Sequence, residues 1–488
     1  MKTEELTKFA ARTGFFYQSS EIYGGLAGLY DYGHLGAQLK RNIENAWRNY
    51  FLNLQFNTWE IEPAELMPEK VFEASGHIRN FNDPFTECMK CGTRYKVDSL
   101  IEKKGGMPDY KSVEHMTLQL RELGIKCNVC GGELGEVRWF NMMFEVKVGV
   151  TGSDKAYLRP ETAQGVYVNF LRQYRALREK LPLGLAIVGK AFRNEISPRQ
   201  GLIRLREFTQ AELQIFFDPD EVTNAEYVGT PDASVRVLRA RAADVVTVRK
   251  SELASDLPKL YLDYLIAAYL FFVERLGYPP EKIRLRELGE DERAFYNKLH
   301  WDIEVQLEST GGYTEIGGVH YRTDHDLSGH QSVSGKELSV TKDSKKFVPH
   351  VIELTFGVDR NVWAIIETFY REDKERIWLA LPPSLAPIKA AVFPLVSKDG
   401  LPEIALRIYR ELREKLKVEY DESGSIGRRY RRQDEVGTPF EITIDYQTKD
   451  DGTVTVRFRD TMKQIRVNRE ELAEWLLSQP TRPAPSVL

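Results

Sequence analysis

KAFRNEISPRQGLIRLREFTQAEL, residues 190–213, decides how the rest of the chain is read. It holds four arginines and three glutamates around a turn marked by Pro198 and Gly201. Apolar residues lead in at 185–188 and lead out at Ile215, Phe216 and Phe217. The pattern predicts a long antiparallel hairpin. Side chains of a strand alternate between two faces. Arg193 and Glu195 then share one face of the first strand, and Arg206, Phe208, Gln210 and Glu212 one face of the second. Leu205, Thr209, Ala211, Leu213 and Ile215 point the other way. One reading of the polar plate is a salt-bridged hairpin in water. The sharper reading is a floor for a planar, polyanionic ligand, because arginine forks grip phosphates at two points and an aromatic face stacks on a base.

Outward from the hairpin, 488 residues allow roughly two to four domains. A hydrophobic content of 42% with 29% charged residues describes an ordinary globular protein. A net charge of −4 argues against a broad basic coat for nonspecific nucleic-acid binding and leaves room for local basic patches. The opening MKTEELTKFAARTG lacks the apolar core of a signal peptide, and the longest apolar run, 265–273, is too short to span a bilayer. A cytoplasmic protein, away from membranes, is expected. The four cysteines form two CxxC pairs, Cys88/Cys91 and Cys127/Cys130, each followed by glycine. Such knuckles point to one closed, structural, four-thiolate zinc site rather than to disulfides. The long spacer, residues 92–126, predicts a small subdomain between them.

Before the cysteines, Leu39, Ile43, Trp47, Tyr50 and Leu54 keep helical spacing, and a strand over 58–61 and the proline-marked PAELMP follow. Glu161 ends a strand where Thr162 opens a helix reaching about residue 180, a place for a ligand-binding carboxylate or for one that merely satisfies the helix dipole. Residues 221–299 read as short strands with exposed arginines and one strongly apolar helix, an insertion without evident chemistry. Further on, Glu304 and Glu315 lie on strands beside a glycine-rich turn. His320, His325 and His330, with Asp324 and Asp326, fit no tight transition-metal spacing, and the carboxylates suit magnesium better. A buried strand at 350–356 turns at Gly357 into a helix over 358–369. Arg360, in its first turn, is read as an anion site or as the partner of a nearby carboxylate. Pro382, Pro383 and Pro387 mark a linker to a compact α/β domain of about 100 residues. There Arg428, Arg429, Arg431 and Arg432 surround Tyr430, a pattern suited to single-stranded RNA or to a solvated helix face.

Taken together, these pieces resemble a known family. FRNE, a loop and REF resemble motif 2 of the class II aminoacyl-tRNA synthetases, 357–360 resembles motif 3, and the helix near 39–54 resembles motif 1, their dimer interface. YLRPETAQG, SPRQGLIRLREFTQAE and GRRYRRQDEVGTPFEI are similar to the dimeric glycyl-tRNA synthetases, and the four-cysteine insertion resembles that of the archaeal branch. The resemblance covers nearly the whole chain. It implies an α/β (α+β) fold in which a class II antiparallel sheet is flanked by helices and followed by a C-terminal α/β anticodon-binding domain. The implied divisions are a first catalytic part at 1–85, the zinc insertion at 86–135, catalytic residues 136–222, an insertion domain at 223–300, catalytic residues 301–385 and the anticodon domain at 386–488.

The resemblance implies a cytoplasmic homodimer that joins glycine to ATP, releases pyrophosphate and transfers glycine to the 3′ end of tRNA(Gly). The acceptor end would meet the catalytic domain and the anticodon the C-terminal one. Arg193, Glu195 and Arg360 would be catalytic. Arg193 would hold the α-phosphate, Glu195 the adenine amino group, Phe208 the adenine face, Arg204 and Arg206 the phosphates, and Arg360 the γ-phosphate. Asn194, Ile203, Leu205, Glu207, Glu315 and Ile316 would complete the ATP site, with Mg2+ on Glu315. Glycine would be held by Glu161, Glu212, Glu353 and Thr355, with Arg322 beside them, and zinc by Cys88, Cys91, Cys127 and Cys130. Adenylation needs positioning and charge neutralisation rather than a nucleophilic side chain. Only exclusion can favour the smallest amino acid. One departure stands out: the family reads Glu-Pro-Ser where this chain has Glu353-Leu354-Thr355. Rival readings are a non-catalytic nucleic-acid-binding relative and a synthetase for another small amino acid.

Overall fold

The structure is a computed structural model that describes residues 2–479 apart from 111, 153, 199 and 295. Residues 480–488 of the expected C-terminal domain lie outside the described residues. Nine strands build the central sheet: β1 (Thr58–Glu60), β2 (Leu183–Phe192), β3 (Glu207–Phe217), β4 (Ser234–Leu238), β5 (Val246–Arg249), β6 (Ile283–Glu287), β7 (Leu299–Leu307), β8 (Gly312–Thr323) and β9 (His350–Gly357). Their order is β5-β4-β6-β7-β8-β9-β3-β2-β1, antiparallel except where β2 meets β1 and β4 meets β6. The expected hairpin is β2 and β3, in register from Phe192 opposite Glu207 to Leu183 opposite Phe216.

The two faces of the sheet are covered differently, and the difference makes the site. On one face Ala211, Leu213 and Ile215 meet helices α1 (His34–Phe51), α3 (Lys259–Leu270) and α5 (Val358–Phe369). Trp47, Phe51, Phe271 and Phe356 interlock there, with Phe51 and Phe356 rings 4.9 Å apart. A glycine in the first turn of α1 has a steric purpose: a Cβ on Gly36 would stand 1.7 Å from the Phe15 carbonyl oxygen. On the other face α2 (Ala163–Ala176), packed with α4 (His325–Ser334), covers only the far end, where Phe170 stacks on Phe216 with ring centroids 4.4 Å apart. Between that end and the β2–β3 turn the strands carry polar side chains, which a helix cannot cover without burying unpaired groups. That part of the face is the pocket.

The stretch expected to form an insertion at 223–300 belongs instead to the central body. β4, β5 and β6 lengthen the sheet, and Tyr261 on α3 donates to the Val319 carbonyl at 2.7 Å. A helix apolar on all sides must be buried all round, and α3 is sealed in the same core as α1 and α5. The cysteines sit in a separate small module of three strands (82–87, 94–96 and 138–141) and two helices packed around Val97, Ile101, Met116 and Leu120. A five-stranded sheet over 390–468 with its own core follows the prolines. Arg376 ties it to the central body, donating to the Arg459 carbonyl at 2.6 Å and pairing with Asp434 at 3.0 Å.

Candidate active site

Strand register lays out the pocket floor. In one row Glu212 stands opposite Thr355, then Gly318, then Asp302. In the next row Gln214 stands opposite Glu353, then His320, then His300. A period of two puts both rows on one face. A β-bulge after Tyr321 accompanies the placing of Arg322 behind the carboxylate end of this floor, against Tyr167 of α2. The strand end at Glu161 and the β2–β3 turn close the pocket from above.

At the carboxylate end lie Glu161, Glu212 and Glu353, all buried. Arg322, 1% exposed, is clamped by Asp326 at 2.8 and 3.0 Å, by Glu353 at 3.0 Å and by Glu161 at 3.4 Å, with Tyr296 4.3 Å from its guanidinium. Gln164 bridges Glu161 and Asp326 at 2.8 and 2.9 Å. Glu353 also accepts from Gln214 at 2.8 Å, and His320 Nδ1 lies 2.5 Å from its other oxygen. Burial opposes the charge on Glu161 and Glu353. Arg322 overrides it in both, with His77 helping at Glu161 and His320 at Glu353. Glu161 is held well below the usual carboxylate range and Glu353 down to about 2. Glu212 has no such cation. Burial, then the charges of Glu353 and Glu161, push it up to about 8. Its Oε1 accepts from the Thr355 hydroxyl at 3.1 Å, the nearby Thr162 hydroxyl and Arg322 only partly offset the rise, and Oε2 makes no hydrogen bond of ordinary geometry among the described residues.

At the arginine end Phe208 lies against Arg193, whose guanidinium is 5.2 Å from the ring centroid and donates to the Pro160 carbonyl at 3.1 Å. Arg204 stands 3.7 Å from Glu195. Arg360, on the first turn of α5, pairs with Glu315 at 3.0 Å and donates to the Ile203 carbonyl at 3.1 Å. Asp359 beside it accepts from Tyr32 and from the Thr209 amide, which pins the start of α5 to β3.

The expected residues are thus mostly in one place. Arg193, Glu195, Ile203, Arg204, Leu205, Phe208, Glu315 and Arg360 line the pocket, as do Glu161, Glu212, Glu353 and Thr355. Others stand behind it. Arg322 lies behind Glu161 and Glu353, and Arg206 donates to the Ala27 and Glu195 carbonyls at 2.8 and 2.9 Å. The Asn194 amide donates to Met142, and Ile316 is buried with its carbonyl held by Asn361. Glu207 pairs with Lys190 at 2.9 Å. Sequence reading passes over Gln164, Gln214 and Tyr296, places Gln210 on the polar face without a role, and gives His320 and Asp326 no part in the pocket. The period of two contained the signal for Gln214 and His320; Gln164, Tyr296 and Asp326 arrive from other segments and leave no such trace. The three histidines do not converge, since His330 bonds Gln164 at 2.9 Å and His320 bonds Glu353. Asp326 is spent on Arg322 rather than open to an ion.

Away from the pocket, the four cysteine sulfurs lie within 4.8 Å of one another, with Cys88–Cys130 and Cys91–Cys127 each at 3.5 Å. Four sulfurs about 2.3 Å from a central zinc would sit about 3.8 Å apart. The two knuckles are built alike: Gly92 and Gly131 donate back to the Cys88 and Cys127 carbonyls, both at 2.9 Å. The cluster has the donor set and geometry to hold a metal. In the C-terminal domain Tyr430 turns inward to Thr443 at 2.6 Å, and Arg429 caps buried carbonyls, so neither is offered to a base. Arg428, Arg431 and Arg432 line an open depression instead.

The sequence and the fold have known relatives. The profile of the tRNA synthetase class II core domain (G, H, P, S and T) matches residues 144–369, and that of an anticodon binding domain matches 389–479. A prolyl-tRNA synthetase of Cryptosporidium parvum superposes with a TM-score of 0.60 over 97% of this chain and 74% of its own, at 12% identity, a likeness of fold. The two domain matches and the fold mark a class II aminoacyl-tRNA synthetase. Glycine--tRNA ligase of Pyrococcus furiosus is 40% identical over 96% of this chain and 98% of its own length. That of Thermococcus kodakarensis is 39% identical over 97% and 98%, and that of Aeropyrum pernix 38% over 97% and 96%. The chain belongs to the glycine--tRNA ligase family. No helix among its described residues is long and apolar enough to cross a membrane.

Proposed function

We propose that the chain activates glycine with ATP to glycyl-adenylate and pyrophosphate, then transfers glycine to the 3′ end of tRNA(Gly). The observation that carries this reading is Glu212, a buried carboxylate with one unpartnered oxygen at the end of a pocket whose opposite end is arginine. An α-ammonium supplies the cation Glu212 lacks. Glu161 and Glu353, already paired through Arg322, shape the site around it. ATP lies across Phe208 with Glu195 at the adenine edge. Arg193 holds the α-phosphate and the glycine carboxylate together, and Arg204 and Arg360 neutralise the departing pyrophosphate. Arg360 leaves Glu315 to do so, and the freed carboxylate suits the Mg2+ that accompanies ATP. Arg206 acts through the Glu195 backbone, and Arg322 through the carboxylates it clamps. Glycine-dependent exchange of pyrophosphate into ATP by the purified chain tests the reading. Exchange with no amino acid, or a preference for alanine or serine, overturns it.

The four-cysteine module holds one structural zinc. The chain works as a cytoplasmic homodimer, which is supported by apolar side chains left in water near α1 and β1: Phe56 is 84% exposed and Trp59 52%. A single sedimenting species of the chain's own mass refutes the dimer. The anticodon meets the open arginine depression at 425–432. Arg428→Glu is expected to weaken tRNA aminoacylation while sparing pyrophosphate exchange, and an unchanged KM for tRNA counts against that contact.

A further inference from the structure

His320 is the one imidazole on the pocket wall, among the described residues, and the adenylation chemistry gives it no proton to move. Its placement suggests a different use. Gly318 leaves a gap in the floor row between Thr355 and Asp302. The His320 ring leans back over that gap: a Cβ built on Gly318 would stand 3.0 Å from His320 Nε2 and 3.6 Å from Asp302 Oδ1. The imidazole therefore fills floor space beside Thr355, next to the carboxylate that awaits an ammonium.

The ring is also fixed. Nδ1 is bound to Glu353 Oε1, which Arg322 and Gln214 hold in turn through the other oxygen. One flank packs against the His300 ring, with centroids 4.1 Å apart at 70°. His300 is anchored by Asp302 at 2.9 Å. A flexible side chain could swing aside for a methyl group, whereas a ring tied at its edge and braced on its flank cannot. A pocket that rewards contact favours larger amino acids, so a site for the smallest one needs an immovable obstacle where a β-carbon would go.

We infer that His320 is a specificity-determining residue, a rigid wall that, with the Thr355 methyl, excludes amino acids bearing a β-carbon. The inference rests on the glycine-activating reading of the pocket and adds the means by which glycine is selected. Pyrophosphate exchange by the full chain and by His320→Ala, with glycine, L-alanine, D-alanine and L-serine, tests it. D-alanine covers the case in which the wall faces the other hydrogen of glycine. The variant is expected to raise the ratio of kcat/KM for one alanine enantiomer to that for glycine by about tenfold or more, within the range one methyl group commands in a close-fitting pocket. His320→Asn keeps a polar group near Glu353 and trims only the outer ring; it is expected to raise the ratio less, and it serves if the alanine variant folds poorly. Loss of glycine activity with unchanged ratios in both variants assigns His320 to holding Glu353 and overturns the inference alone. A parent chain that exchanges nothing with glycine overturns the ligase reading and this inference with it.

Discussion

If Glu212 takes the glycine ammonium as proposed, glycine capture depends on pH in a definite way. An ammonium needs the ionised carboxylate, but burial and the charges of Glu353 and Glu161 delay ionisation to about 8. About one free chain in eleven then carries the charged form at pH 7, about one in two at pH 8 and about ten in eleven at pH 9. The apparent KM for glycine should therefore fall about fivefold from pH 7 to 8 and about tenfold from pH 7 to 9, while free glycine keeps its ammonium. Glu212→Gln cannot ionise. It should abolish this pH dependence and lower kcat/KM for glycine by on the order of a hundredfold or more, as when one partner of a buried charge pair is removed. Stability should move the other way. An unfolded glutamate ionises near 4.5 and the folded Glu212 only near 8, so its contribution is favourable below 4.5 and lost as pH rises through 8. The glutamine variant escapes that loss and should melt above the parent at pH 9, with no such gain at pH 4. Exchange kinetics and thermal melts at pH 4 to 9 decide the matter. A glycine KM flat between pH 7 and 9 in the parent, or a slope retained in Glu212→Gln, refutes the assignment of the ammonium to Glu212.

Thr355→Ser keeps the hydroxyl that donates to Glu212 at 3.1 Å, so glycine exchange should stay within tenfold of the parent; a larger loss, more than about 1.4 kcal/mol, means the methyl itself positions the substrate. Arg322→Lys leaves one ammonium to serve Asp326, Glu353 and Glu161. Denaturant unfolding should report a loss of about 3–5 kcal/mol, as for a broken buried ion pair, and a loss below about 1 kcal/mol refutes its role as the clamp. Elemental analysis of protein never exposed to chelator should find about one zinc per chain, and chelation should open residues 82–141 to protease; metal-free protein with an intact module removes the zinc reading.

Much of the site could be read from local pattern because a strand writes its faces into alternate residues. The β2–β3 hairpin, the plate of Arg193, Phe208 and Glu212, and the paired cysteines all rest on spacing along one segment. Helix α1 was found by its apolar spacing, though the structure starts it earlier, at His34. Residues 223–300 were misread because an apolar helix and short strands have the same local texture whether they form a separate lobe or extend a sheet. Tyr430 was misread for a similar reason: its helix exposes neighbouring arginines, while contact with Thr443, distant in sequence, turns the ring inward.

Residue order alone accounts for the hairpin, its polar face, the metal-binding knuckles and the arginine at the start of α5, each set by local periodicity and turn chemistry. Which charge is left unpaired depends on how distant segments pack together. Arg322, Glu161, Glu353 and Asp326 come from three separate segments, and their pairing depends on cross-strand register, the bulge after Tyr321 and the placing of α2. Coulombic interaction in a buried site varies over a few ångströms that no residue spacing encodes. Packing thus neutralises two of the three glutamates at the carboxylate end of the pocket and leaves Glu212 waiting for a cation.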